Sequence, residues 1–152
     1  MADSDTVTFL LRALEENWLH ARLSEERRAT LTYVILLSTL VIQSMLTYLG
    51  PGQRSLLLAI FLPFISLYAL LITIKLYERA QFHTRRARKL RARLNELLPD
   101  AQVEQLQHMA EEEHTLRYRW WMNTRLNTLW LTLYTALIVL GCIDILLCLL
   151  RR

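Results

Sequence analysis

Charged and apolar residues alternate along this chain in long blocks. Residues 31–49 and 55–74 contain no Asp, Glu, Lys, Arg or His, and residues 126–150 contain Asp144 as their one charge candidate. Residues 1–30, 75–98 and 100–125 carry most of the remaining charge. A helix crosses the hydrocarbon core with about 20 residues, and only a helix satisfies its own backbone amides there. The pattern therefore predicts an all-α integral membrane protein. Its three long transmembrane helices extend into a cytoplasmic helical bundle. The expected division is a cytoplasmic amphipathic helix (1–30), a first span (31–49), an outer turn (50–55), a second span (56–74), a cytoplasmic helical hairpin (75–125) and a third span (126–150).

The breaks agree with this division. Gly50, Pro51 and Gly52 supply the turn, and Gly and Pro punctuate little else. Pro63 is expected to kink the second span. The run Leu98-Pro99-Asp100 ends the second cytoplasmic helix, because the residue before proline is pushed out of helical backbone, and Asp100 can cap the next helix. No breaker separates the first polar block from the first span, so residues 6–49 read as one rod, with Asp5 able to cap its start. Val7, Leu11, Leu14, Trp18 and Ala21 form an apolar seam at heptad spacing. Ala80, His83, Ala87, Leu90, Leu94 and Leu97 form a second. Val103, Leu106 and Ala110 begin a third, followed by Leu116, Trp120 and Trp121 at the expected membrane interface.

Composition strengthens the membrane reading. The chain is 53% apolar with a mean hydropathy of +0.21, and buried helices of soluble proteins seldom stay uncharged over such lengths. Charge sets the expected orientation, since basic connections stay in the cytoplasm. The first connection has one basic residue, Arg54, whereas residues 75–125 have eleven. The N-terminus and the 75–125 hairpin are thus expected in the cytoplasm of a bacterial cell, the spans in its inner membrane. Arg151 and Arg152 then fall outside, against the rule, and are expected to snorkel to lipid phosphates. The acidic start and the late first apolar run do not fit a cleavable signal. Residues 75–98 carry net charge +6, and residues 1–30 and 100–125 carry −2 each. A basic helix between two acidic ones suggests that these helices pack on each other or on copies of themselves.

Candidate chemistry is sparse. A basic cytoplasmic patch of Arg79, Arg85, Arg86, Arg88, Lys89, Arg91 and Arg93 is the densest signal. It allows anionic-lipid contact (with only Lys75 and Arg79 well placed for headgroups), nucleic-acid or nucleotide binding, or simple orientation and pairing with the acidic helices. No aromatic residues interleave with it, so nucleic acid is not an expected partner. Within the spans, Thr39, Gln43 and Thr47 (with Thr32) share one face, Ser66 and Thr73 another, and Thr128, Thr132 and Thr135 a third. Such stripes line pores or join helices. Gln43 lies deep enough to need a partner. Asp144 is expected either to act in the membrane or, lying about seven residues from the outer end near Arg151 and Arg152, to be solvated at the interface or paired with Arg54. His108 and His114 are six apart, the wrong interval for a shared metal on one helix face. His20 and His83 are expected as packed, neutral side chains. Cys142 and Cys148 are too far apart on one helix for a disulfide. No metal, cofactor or catalytic residue is expected.

The hairpin 31–74, followed by Tyr77-Glu78-Arg79 and Arg85-Arg86-Ala87-Arg88-Lys89-Leu90 on one helix, resembles in layout the SLATT-type small prokaryotic membrane effectors. Those proteins join a two-span hairpin to a long cytoplasmic helix and accompany nucleotide-signal defence systems. The likeness covers about half the chain, and the third span departs from the two-span plan. It implies a self-associating, pore-forming or membrane-perturbing effector subunit controlled by a partner protein or a nucleotide signal. From the residues themselves, the expectation is a non-enzymatic, self-associating membrane protein, the heptad seams pointing to a homo-oligomer. The alternative is a membrane-anchored scaffold whose cytoplasmic helices recruit a protein partner.

Overall fold

The computed structural model describes residues 4–98, 109, 112–113 and 126–151. Among them there is no strand. Helix α1 runs Ser4–Leu49 over 46 residues, α2 runs Leu56–Leu97 over 42, and α3 runs Leu126–Leu150 over 25. All three are long and apolar enough to cross a membrane, which points to a multi-pass membrane protein. The expectations for Pro99, Asp100, Val103, Leu106, Ala110, Leu116, Trp120, Trp121, His108 and His114 lie outside the described residues.

Local chemistry accounts for the helix limits. Helix α1 starts at Ser4, and Asp5 sits in its first turn, where a carboxylate complements the positive end of the helix dipole. Gly50 ends it with φ +70°, a left-handed conformation that glycine adopts without steric cost. The Ser55 hydroxyl then ties the turn. It donates toward the carbonyls of Gly50 (2.8 Å) and Gly52 (3.0 Å) and accepts the Gly52 amide at 3.0 Å. Helix α2 continues through Pro63. Hydroxyls along the apolar segments turn inward on their own helices: Thr32, Thr39, Ser44 and Thr47 on α1 and Thr132 and Thr135 on α3 donate to the carbonyl four residues earlier. That satisfies them without water.

The chain divides into two compact units. The larger comprises Glu26–Tyr77 and Leu126–Arg152. Its core holds two clusters, one of Ile42, Leu46, Ala59, Leu62 and Cys148, the other of Ile35, Ala69, Tyr134 and Leu137. The buried positions recur at sevens: Arg28, Ile35 and Ile42 on α1; Ala59, Ser66 and Thr73 on α2; Tyr134, Gly141 and Cys148 on α3. A strict seven-residue period is the mark of helices that supercoil left-handedly. The α2 row consists of small residues, which let helix backbones approach closely in lipid. Ser66 and Thr73 have no hydrogen-bond partner among the described residues, so they act there through size. Only 22–28% of each apolar window is buried within the chain. Most of the span surface faces outward.

The other unit comprises Met1–Glu25 and Glu78–Arg125. The seven-residue row on α2 here reads Ala80, Ala87, Leu94, all buried. On α1 the buried face overlaps the expected apolar seam only in part. Ala21 is buried and Val7, Leu14 and Trp18 are half-buried, but Leu11 is 51% exposed and the polar Asn17 and Ser24 are buried. A count of apolar side chains misses this face because its polar members satisfy themselves. Asn17 Nδ2 donates to the Ala13 carbonyl at 2.7 Å, and the Ser24 hydroxyl to that of His20 at 2.9 Å.

Candidate functional site

Gln43 of α1 and Asp144 of α3, 101 residues apart in sequence, meet in the larger unit. Gln43 Nε2 donates to Asp144 Oδ2 at 2.5 Å. The carboxylate thus has the Gln43 carboxamide as a partner, where the sequence alone leaves a functional acid, interfacial solvation or pairing with Arg54 open. An acid at the centre of a span costs about 2.5–3.5 kcal/mol on insertion scales, and less toward the end of a span, where Asp144 lies on α3. A hydrogen bond to a charged group typically returns about 1.5–3 kcal/mol. The pair borders a cavity of ≈ 170 Å³ that Thr47, Pro51 and Cys148 also line. The cavity therefore combines a carboxylate, an amide and a hydroxyl within a segment apolar enough to lie in lipid.

The remaining span hydroxyls do not converge on it. Thr39 is buried against the backbone of its own helix. Thr128, Thr132 and Thr135 are exposed on α3. They form a small, polar, outward face. Cys142 continues that face and is exposed, whereas Cys148 is buried with its thiol 3.5 Å from the Ser55 hydroxyl.

A second polar element of this unit surrounds Arg28. Its side chain is 1% exposed. The guanidinium carbon lies 5.5 Å from the Tyr77 ring centre and 5.2 Å from that of Trp130. One turn further along α1, the Thr32 and Tyr134 hydroxyls are 2.8 Å apart. In the sequence Arg28 reads only as an orientation signal. An arginine at the edge of an apolar run marks topology, and nothing local announces that two aromatic residues will enclose it.

In the other unit the basic patch is mostly at the surface. Arg79, Arg85, Arg86, Arg88, Lys89 and Arg93 are exposed. Arg91 is half-buried, its guanidinium carbon 5.6 Å from the Trp18 ring centre. Arg93 Nη1 donates to Glu96 at 2.6 Å within the same helix. His20 and His83 stack with ring centres 5.0 Å apart and planes 29° from parallel. His83 Nδ1 lies 3.2 Å from Asn17 Oδ1.

Burial holds the His83 pKa below its ordinary value, and the nearby His20, Arg79 and Arg86 charges lower it further, while Glu16 opposes them. Folding therefore disfavours the proton on His83. At pH above the unfolded value of about 6.5, the neutral ring carries no penalty. As pH falls below it, the unfolded chain takes up the proton first and stability drops. Denaturation of the detergent-solubilised chain at pH 8 and pH 5 should show this loss. The loss should shrink in His83→Gln, and an unchanged pH dependence would remove His83 as its source.

Comparison with protein-family models, with curated proteins and with solved structures finds no match. The functional reading rests on the residues of this chain.

Proposed function

We propose that this protein is a non-enzymatic integral membrane protein of a bacterial inner membrane that works as an assembly of copies. In this reading residues 1–30 and 75–125 are cytoplasmic, and copies meet through the outward faces of their spans. The observation that carries it is the exposed α3 face of Thr128, Thr132, Thr135 and Cys142. Small hydroxyl residues directed away from a chain's own core join helices in lipid. Several such faces brought together would surround a polar path. The interior of a single chain is filled by Leu62, Ala69 and Tyr134, which favours a path between copies. A pore-forming or membrane-perturbing subunit follows as the form of activity.

The native thiols test the interface. Oxidation or bismaleimide treatment in membranes should give a covalent dimer that persists in Cys148→Ala and disappears in Cys142→Ala. Thr132→Leu with Thr135→Leu should weaken it. A chain that stays monomeric by light scattering at all concentrations in mild detergent, and does not cross-link, would refute self-association.

A second reading, a membrane-anchored scaffold, is favoured by the exposed basic residues of α2, which suit an acidic protein partner. Reconstituted liposomes separate the two: a pore releases entrapped ions, a scaffold does not.

A further inference from the structure

We infer that Arg12 and His20 of α1, with His83 and Arg86 of α2, form a cleft that binds a phosphate-bearing anion. A cavity of ≈ 550 Å³ lies against these side chains, with Glu16 and Asn17 also on its wall. That volume is within the range of about 300–1,000 Å³ typical of small-ligand sites. The positions follow from helix periodicity. Residues 9, 12, 13, 16, 17 and 20 recur every three or four along α1, and His83 and Arg86 are three apart on α2, so two faces supply the whole lining.

The charge balance favours an anion. Two guanidiniums and two imidazoles face a single carboxylate, Glu16, whose Oε1 is 3.8 Å from His20 Nε2. The hydrogen-bond pattern assigns donors. Asn17 gives its amide N–H to Ala13, so its Oδ1 is an acceptor and His83 Nδ1 carries the proton of that contact. The other ring nitrogen of His83 becomes a donor when protonated. His83 resists that proton because of burial and the positive groups around it. A bound dianion would offset those charges, so binding should draw a proton from solution. Phosphate suits the set better than carboxylate or halide: it offers several strong acceptor oxygens, and guanidinium forks match its geometry. The anion could be a free solute or a lipid headgroup, with the same chemistry.

The test uses the full chain in phosphatidylcholine nanodiscs, titrated with pyrophosphate by calorimetry and followed through the imidazole resonances. Histidine variants assign those resonances. Binding should shift His20 and His83 and take up protons at pH 7, seen as heat that depends on the buffer. Arg86→Gln should weaken binding about tenfold, as expected on losing a charge-assisted contact. Glu16→Gln, which removes the one carboxylate, should tighten it about threefold. Both residues are exposed, so folding is spared. A response to pyrophosphate identifies a solute as the source. A response of the two histidines only when phosphatidate replaces part of the lipid identifies a headgroup. Silence in both arms, or affinity unchanged in Arg86→Gln and Glu16→Gln, overturns the site.

Discussion

Replacing Gly141 with alanine is expected to unseat α3 from α2. A Cβ at position 141 would lie 2.5 Å from Pro63 Cδ and 2.9 Å from Pro63 N. The proline ring is rigid and its nitrogen is backbone, so neither can swing aside as a long side chain would. The helices must part instead, and overpacking of this kind costs about 1–3 kcal/mol. Alanine favours an exposed helix over glycine by about 1 kcal/mol, which works in the opposite direction. Because the two closest contacts are ring and backbone atoms well inside ordinary van der Waals distance, the clash should win. Gly141→Leu should be worse still. Pro63→Ala removes Cδ and should recover part of the loss in the double variant. Unfolding in mixed micelles checks this, and a Gly141→Ala chain as stable as the parent would sink it.

Truncation of Arg28 should have an effect at least as large. The guanidinium is enclosed between Tyr77 and Trp130 and is almost wholly buried. Desolvated cation–π contacts reach about 2 kcal/mol each. Arg28→Ala also leaves a void, for a total loss on the order of 3–5 kcal/mol. Arg28→Lys keeps the charge but not the flat, weakly hydrated surface that stacks on rings, and should recover less than half. Arg28→Met restores volume without charge. The same mixed-micelle unfolding measures all three, and a methionine variant equal to the parent would show that packing alone is at work.

Much of this architecture is legible in the residues alone. Runs near residues 31–49, 55–74 and 126–150, with Asp144 their one charge candidate, mark the apolar segments because lipid leaves the backbone no alternative to helix. The Gly50-Pro51-Gly52 cluster marks the turn because little else in the chain breaks a helix. On α2 the row at Ala80, Ala87 and Leu94 is visible for a similar reason: apolar residues recur there without interruption. Helix α1 is harder to read. Its buried face includes Asn17, Ser24 and Arg28, which a hydrophobic count discards. The site divides in the same way. Gln43 and Asp144 each stand out as a polar residue in an apolar run, but their meeting depends on the register of α1 against α3, which no local pattern encodes. Gly141 reads only as a weak helix former, since its partner Pro63 lies on another helix.

The small-residue row on α2 has a consequence for alignment. A surface that repeats every seven residues looks nearly the same to a neighbour displaced by about 10 Å, so the row alone permits more than one axial setting. The contacts that do not repeat act as detents: the Gln43–Asp144 hydrogen bond, Gly141 seated on Pro63, and Arg28 between its two rings. Each engages at one setting only, so a few singular residues choose among positions that a periodic surface leaves nearly degenerate.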